Sequence, residues 1–188
     1  INAKVIAITG SSGKTTLKTL IGKTLNKYGK TYFSQKSYNN HIGVPLSLCN
    51  LENDHKYGVF EIGMSNEGEV RKLSSLVKPD IAIITNIGEA HIENFDNLNN
   101  IATAKSEIIE NITKDGYLIL NRDDKYFKYL LKLAKKRDVN VLSFGLSNIA
   151  DARLIKNRLH RNYNHLHFRV LNKNIYLKVK NINPLIIL

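Results

Sequence analysis

Over the first three-quarters of the chain, short and nearly unbroken apolar runs alternate with segments of helical periodicity. The apolar runs are Lys4–Thr9, Tyr57–Ile62, Asp80–Thr85, Tyr117–Leu120 and Val139–Phe144, with a shorter one at Thr31–Ser34. The helical segments are Lys14–Tyr28, Glu67–Val77, Leu98–Ile112 and Asp124–Lys136, and a further helix is expected after Pro45, with Cys49 packed in it. Strands apolar on both sides are strands covered on both faces. The pattern therefore predicts an α/β fold, a doubly wound and mainly parallel sheet. On the first helix the expected inner face is Leu17, Leu20, Ile21, Thr24 and Leu25. After Ser147 the pattern changes. Ala152–Lys156, His165–Leu171 and Ile175–Lys180 alternate polar and apolar positions, and Asn172-Lys173-Asn174 reads as a hairpin turn. The expectation is an α/β core over 1–147 with a small antiparallel β appendage over 148–188.

The first strand runs into Thr9-Gly10-Ser11-Ser12-Gly13-Lys14-Thr15-Thr16, which opens a helix. Strand, glycine-rich turn and helix together form the context of a phosphate loop. Gly10 and Gly13 let backbone N–H groups approach phosphate oxygens, and the helix start adds its positive dipole end. Lys14 would then neutralise phosphate and the Thr15 hydroxyl would ligate Mg²⁺. The spacing is shorter than the common G-x-x-x-x-G-K-[ST], since Ile8 stands where that form has its first glycine.

Glu61 closes an apolar strand, at the sheet edge where ligands of open α/β folds gather. A hard carboxylate there suits Mg²⁺. Lys105 shares a helix face with Ile101, Ile108 and Ile112, so it points inward. A buried ammonium must be paired, reach the helix edge or lose its proton; Glu107 and Glu61 are the candidate partners.

The chain carries 28 Lys and Arg against 16 Asp and Glu. Residues 1–120 are nearly neutral, with 13 basic and 12 acidic side chains, whereas residues 121–188 hold 15 basic and 4 acidic. Such a surplus suits a polyanion or a solvated surface. No aromatic-interleaved or helix-turn-helix motif accompanies it, so no nucleic-acid partner is expected. No apolar run approaches a membrane span, and no leader pattern opens the chain, so a cytoplasmic setting is expected.

Further stretches carry a family resemblance. After the phosphate loop come Tyr38-Asn39-Asn40-His41-Ile42-Gly43-Val44-Pro45-Leu46, then Glu61-Ile62-Gly63-Met64-Ser65 with Gly68-Glu69. Thr85-Asn86-Ile87-Gly88-Glu89-Ala90-His91, Ala104-Lys105-Ser106-Glu107 and Asn121-Arg122-Asp123-Asp124 follow in order. Together they resemble the central domain of the Mur ligases and their relatives, the folylpolyglutamate synthases. The second and third stretches are most similar to the members that add D-alanyl-D-alanine.

The resemblance implies ATP and Mg²⁺ as cofactors. It implies a UDP-N-acetylmuramoyl-peptide carboxylate activated as an acyl phosphate, and D-alanyl-D-alanine as the amine. Catalytic roles are implied for Lys14, Asn40, Glu61, His91 and Lys105. Nucleotide contacts are implied for Gly10, Ser11, Ser12, Gly13, Lys14, Thr15, Thr16, Asn121 and Asp124. Metal ligation is implied for Thr15, Glu61, His91 and Lys105, the last as a carbamate. Asn39 would serve phosphate or the metal's water shell. The N-terminal UDP-binding and C-terminal domains of such ligases are expected to lie outside these residues, so a monomeric chain that binds nucleotide with little ligation of its own is expected. A P-loop switch or motor needs an Asp at a strand end, and Asp80 precedes its strand instead.

Overall fold

The computed structural model describes residues 2–89 and 94–180. The elements alternate: β1 (Lys4–Thr9), α1 (Lys14–Leu25), β2 (Thr31–Phe33), α2 (Gly43–Cys49), β3 (Tyr57–Glu61), α3 (Glu69–Val77), β4 (Ile81–Ile84) and α4 (Leu98–Ser106). A 3-10 turn (Glu107–Asn111) leads to β5 (Tyr117–Asn121), α5 (Phe127–Lys136), β6 (Asn140–Gly145), β7 (Ala152–Leu159), β8 (Tyr163–Val170) and β9 (Lys173–Lys180). The strands form one sheet in the order β2-β3-β1-β4-β5-β6-β7-β8-β9. Every pairing from β2 to β7 is parallel, and β8 pairs antiparallel with both β7 and β9. The mainly parallel α/β fold read from the apolar runs is thus the fold observed.

Side chains of β1 alternate between two cores. Ile6 and Ile8 meet Leu17, Ile21 and Leu25 of α1 on one face. Ala7 lies in the larger cluster on the other, with Leu73 of α3, Ile101 of α4 and Leu130 of α5. β1 lies between β3 and β4, so the chain reverses direction of winding beside it. That is where a crevice opens at the carboxyl ends of the strands.

The inner face of α1 differs from the expected one. Leu20 and Thr24 are exposed, and Lys18 and Gly22 are buried. The helix is rotated so that the Lys14–Lys18–Gly22 row lies on the sheet. Cys49, at the end of α2, is exposed rather than packed.

The helix expected over Leu98–Ile112 is α4 plus the tightened turn after it, its start capped by the Asn97 side chain, which accepts from the N–H groups of Asn99 and Asn100 at 2.8 and 3.1 Å. Helix α5 begins only at Phe127, because the Asp124 carboxylate holds the turn before it through the Tyr126 N–H.

The C-terminal strands are longer than their polar alternation suggested. Their hairpin turns on Leu171 and Asn172, both left-handed at φ 45° and 67°. That is the two-residue turn whose twist matches paired strands. β7 joins the main sheet through two parallel pairs, Phe144 with Ala152 and Gly145 with Arg153. The β appendage is therefore an extension of the same sheet. Among the described residues, no helix is long and apolar enough to cross a membrane.

Candidate active site

The loop after β1 combines two glycine conformations. Gly10 has φ 143° and Gly13 φ 79°, both in the region that side chains avoid. A Cβ on Gly10 would overlap the Thr85 hydroxyl. Gly13 sits at the start of α1, which has no side-chain cap, so the first-turn N–H groups face the loop.

The segment after β4 fixes this loop. The Thr85 hydroxyl donates to the Ser12 carbonyl at 2.6 Å. The Asn86 carboxamide accepts from the Ser12 N–H at 3.0 Å and donates to the Ser12 hydroxyl at 2.8 Å. The Ser11 hydroxyl donates to the Gly88 carbonyl and accepts from the Gly88 N–H. Gly10→Ala is expected to destabilise the domain by about 1–3 kcal/mol, through strained φ and the clash with Thr85. Urea unfolding checks this; an unchanged midpoint contradicts it.

Glu61 ends β3 and is 1% exposed. One carboxylate oxygen accepts from the Thr15 hydroxyl at 2.8 Å, and the other from the Asn39 carboxamide at 2.8 Å. The Lys18 ammonium lies 3.4 Å from the oxygen that Thr15 contacts and also donates to the Lys36 carbonyl. Lys14 donates to the Gly10 carbonyl at 2.7 Å. Burial pushes the Lys14 pKa below its usual value, against the opposing pull of Glu61.

Lys105 is 2% exposed, and its ammonium forms no hydrogen bond or ion pair among the described residues. Burial, and then the charge of nearby Lys14, lower its pKa to about 7. Of its two candidate partners, Glu107 accepts instead from the Gly68 and Arg71 N–H groups at the start of α3, and Glu61 is taken by Lys18, Thr15 and Asn39.

Lys14 and Lys18 thus lie beside Glu61, and Lys105 lies near Lys14. That surplus of positive charge suits a polyphosphate, and the paired hydroxyl and carboxylate oxygens of Thr15 and Glu61 suit Mg²⁺. The donor set fits both groups.

The remaining predicted residues are placed as follows. Asn40 spends its oxygen on the Ile42 and Gly43 N–H groups, setting the start of α2. Asp124 accepts from the Ile87 N–H at 2.7 Å as well as from Tyr126, tying the β5–α5 turn to the β4 loop. Asn121 accepts from the Asp123 N–H and lines a cavity of about 400 Å³ with Phe144, Leu154 and Phe168. Thr16 is exposed in the first turn of α1. His91 lies outside the described residues. The pattern reading missed Lys18, and it missed the clamping role of Thr85 and Asn86. The spacing of Lys14 and Lys18, one helical turn apart, was the available signal for the former.

Two other clusters lie elsewhere. Asp80 accepts from Lys4 and from the Val5 N–H at the amino end of the sheet, away from the phosphate loop. Glu52, Asp54 and His55 approach one another as metal ligands would, but the two carboxylates are exposed, and the Lys30 ammonium holds both. Part of the basic surplus lies on one face of the terminal strands, with Lys156, Arg158 and Lys178, where His167 stacks on Tyr176 at 4.4 Å and Lys178 lies over the Tyr163 ring at 4.1 Å.

Residues 8–183 match the model of the Mur ligase middle domain. The chain belongs to that family. A UDP-N-acetylmuramoyl-tripeptide–D-alanyl-D-alanine ligase of Rickettsia prowazekii is 37% identical over 178 residues, covering 94% of this chain and 40% of that protein. The enzyme of the same name in Borreliella burgdorferi is 43% identical over 150 residues, covering 78% and 32%. A crystal structure of MurF from Acinetobacter baumannii superposes with a TM-score of 0.90 at 31% identity, over 99% of this chain and 40% of that one. MurF from Thermotoga maritima, solved in complex with ADP, gives 0.85 at 27%, over 95% and 40%. The chain therefore spans about a third to two-fifths of these relatives. As a Mur ligase middle domain of the MurF type, its sheet and the order of its motifs agree with the resemblance read from the residues. A Lactobacillus casei folylpolyglutamate synthase shares the fold, with a TM-score of 0.72 at 12% identity.

Proposed function

We propose that this domain binds ATP with Mg²⁺ and serves a ligase that joins a UDP-N-acetylmuramoyl-tripeptide to D-alanyl-D-alanine. The observation that carries the reading is the placement of Lys14 and Lys18 beside Glu61, with Lys105 near Lys14, at a helix start with open N–H groups. Phosphoryl transfer requires mainly positioning and charge neutralisation, and these groups supply both. The Gly10–Thr16 loop would hold the β- and γ-phosphates, with Lys14 leaving the Gly10 carbonyl to reach them. Thr15, Glu61, His91 and a carbamylated Lys105 would hold Mg²⁺, which neutralises developing phosphate charge when bound. The amine of Lys105, with a pKa of about 7, is substantially neutral near neutral pH and so open to CO₂. Asn39 orients Glu61, and Asn40 shapes the neighbouring loop while its amide N–H₂ can serve phosphate. Asn121 would meet the adenine or ribose at the cavity it lines, and Asp124 holds that turn in place.

In the whole ligase, the peptide carboxylate would attack the γ-phosphorus and release ADP, leaving an acyl phosphate. The amine of D-alanyl-D-alanine would then attack the acyl carbon and expel phosphate. The test uses the intact protein and a tripeptide substrate labelled with ¹⁸O in its terminal carboxylate. One labelled oxygen should appear in the phosphate released. Unlabelled phosphate would rule out the acyl phosphate, and a panel of amines tests the preference for D-alanyl-D-alanine.

A further inference from the structure

Lys18 is among the largest fully buried side chains, at 1% exposure. An ammonium placed there is costly unless it is paired. Its acidic partner among the described residues is Glu61, at 3.4 Å, and its remaining hydrogen bond goes to the carbonyl of Lys36, a residue held at φ 45°. The same carboxylate accepts from Thr15 and Asn39. Lys18 therefore ties three segments together: the phosphate-loop helix, the end of β3, and the loop that carries Asn39.

We propose that Lys18 is a positioning residue that acts as a resident counter-ion for Glu61, sharing with Mg²⁺ the task of neutralising that carboxylate. The inference rests on reading Glu61 as the metal-binding carboxylate of an ATP site. Its physical content is a competition. With Lys18 in place, Glu61 does not repel an approaching polyphosphate, whether or not metal accompanies it. Without Lys18, the Glu61 charge is left to the metal and to Lys14, whose ammonium is held on the Gly10 carbonyl. Lys18 and Mg²⁺ should therefore be partly redundant for nucleotide affinity, and each should matter more when the other is removed.

The experiment is ADP binding by calorimetry to the chain and to Lys18→Met, each in excess Mg²⁺ and in excess EDTA. Lys18→Met should weaken binding in EDTA on the order of tenfold or more, and in Mg²⁺ by roughly threefold or less. The stimulation by Mg²⁺ should rise accordingly. A purely structural role would weaken both conditions by the same factor. Lys18→Gln keeps a donor for the Lys36 carbonyl in a smaller side chain, and carries the same comparison where Lys18→Met does not fold. If the unaltered chain binds ADP but the Mg²⁺ stimulation is equal in the variants, the role of Lys18 is refuted and the ATP reading stands. If the unaltered chain binds in neither condition, both fall.

Discussion

Glu61→Ala is expected to lower the unfolding free energy by about 3–5 kcal/mol, the cost of leaving a buried charge without its partner. The charge left behind is Lys18, as buried as Glu61 itself. The donors on Thr15 and Asn39 lose their acceptor as well. Urea unfolding measures the change, with an unaltered slope showing that the same surface is exposed. The double variant Glu61→Ala/Lys18→Met should recover much of the loss, because neither charge then remains. A single-variant loss below about 1 kcal/mol would mean that Lys18 does not depend on Glu61.

Lys105→Met should act in the opposite direction. The folded pKa of Lys105 is about 7, against an ordinary value of 10.5. Below pH 7 both folded and unfolded chains hold the proton, and the folded state carries the full penalty of a buried ammonium. Between pH 7 and 10.5 the unfolded chain binds the proton while the folded one releases it, so stability rises with pH. Above that window the penalty is gone. The size of the shift corresponds to about 3–5 kcal/mol at pH 6. Methionine removes the penalty, so the variant should be more stable than the unaltered chain at pH 6, and its advantage should fall by about half by pH 9. Equal stability at both values would contradict the burial of a charged Lys105. The same variant should lack the carbamate signal that ¹³C-bicarbonate is expected to produce in the unaltered chain.

Much of this site could be read from the residues because its chemistry follows strand ends. Glu61 and the Gly10–Thr16 loop close apolar runs, and a parallel sheet brings the ends of such runs to one edge. Lys105 was readable because its helical neighbours Ile101 and Ile108 are apolar. Lys18 was not, since a lysine on an amphipathic helix is ordinarily solvated and Leu20 competed for the inner face. Only the packing of α1 on the sheet decides between them. Asn40 and Asp124 show a second limit. Their side chains are close to the expected region, yet their oxygens cap backbone N–H groups, a use that short polar side chains share with ligand binding. The terminal strands were underestimated in length because their exposed face is basic and aromatic, and the pairing of β7 with β6 has no local pattern of its own.

Nucleotide binding itself is measured by titrating the chain with ATP in the presence of Mg²⁺, beside Lys14→Ala. Saturable binding by the unaltered chain, weakened by about 100-fold or more in the variant, is the predicted result, since Lys14 is a half-buried charge in the proposed phosphate loop. Equal binding by both, or none by either, would contradict an ATP site built on this loop.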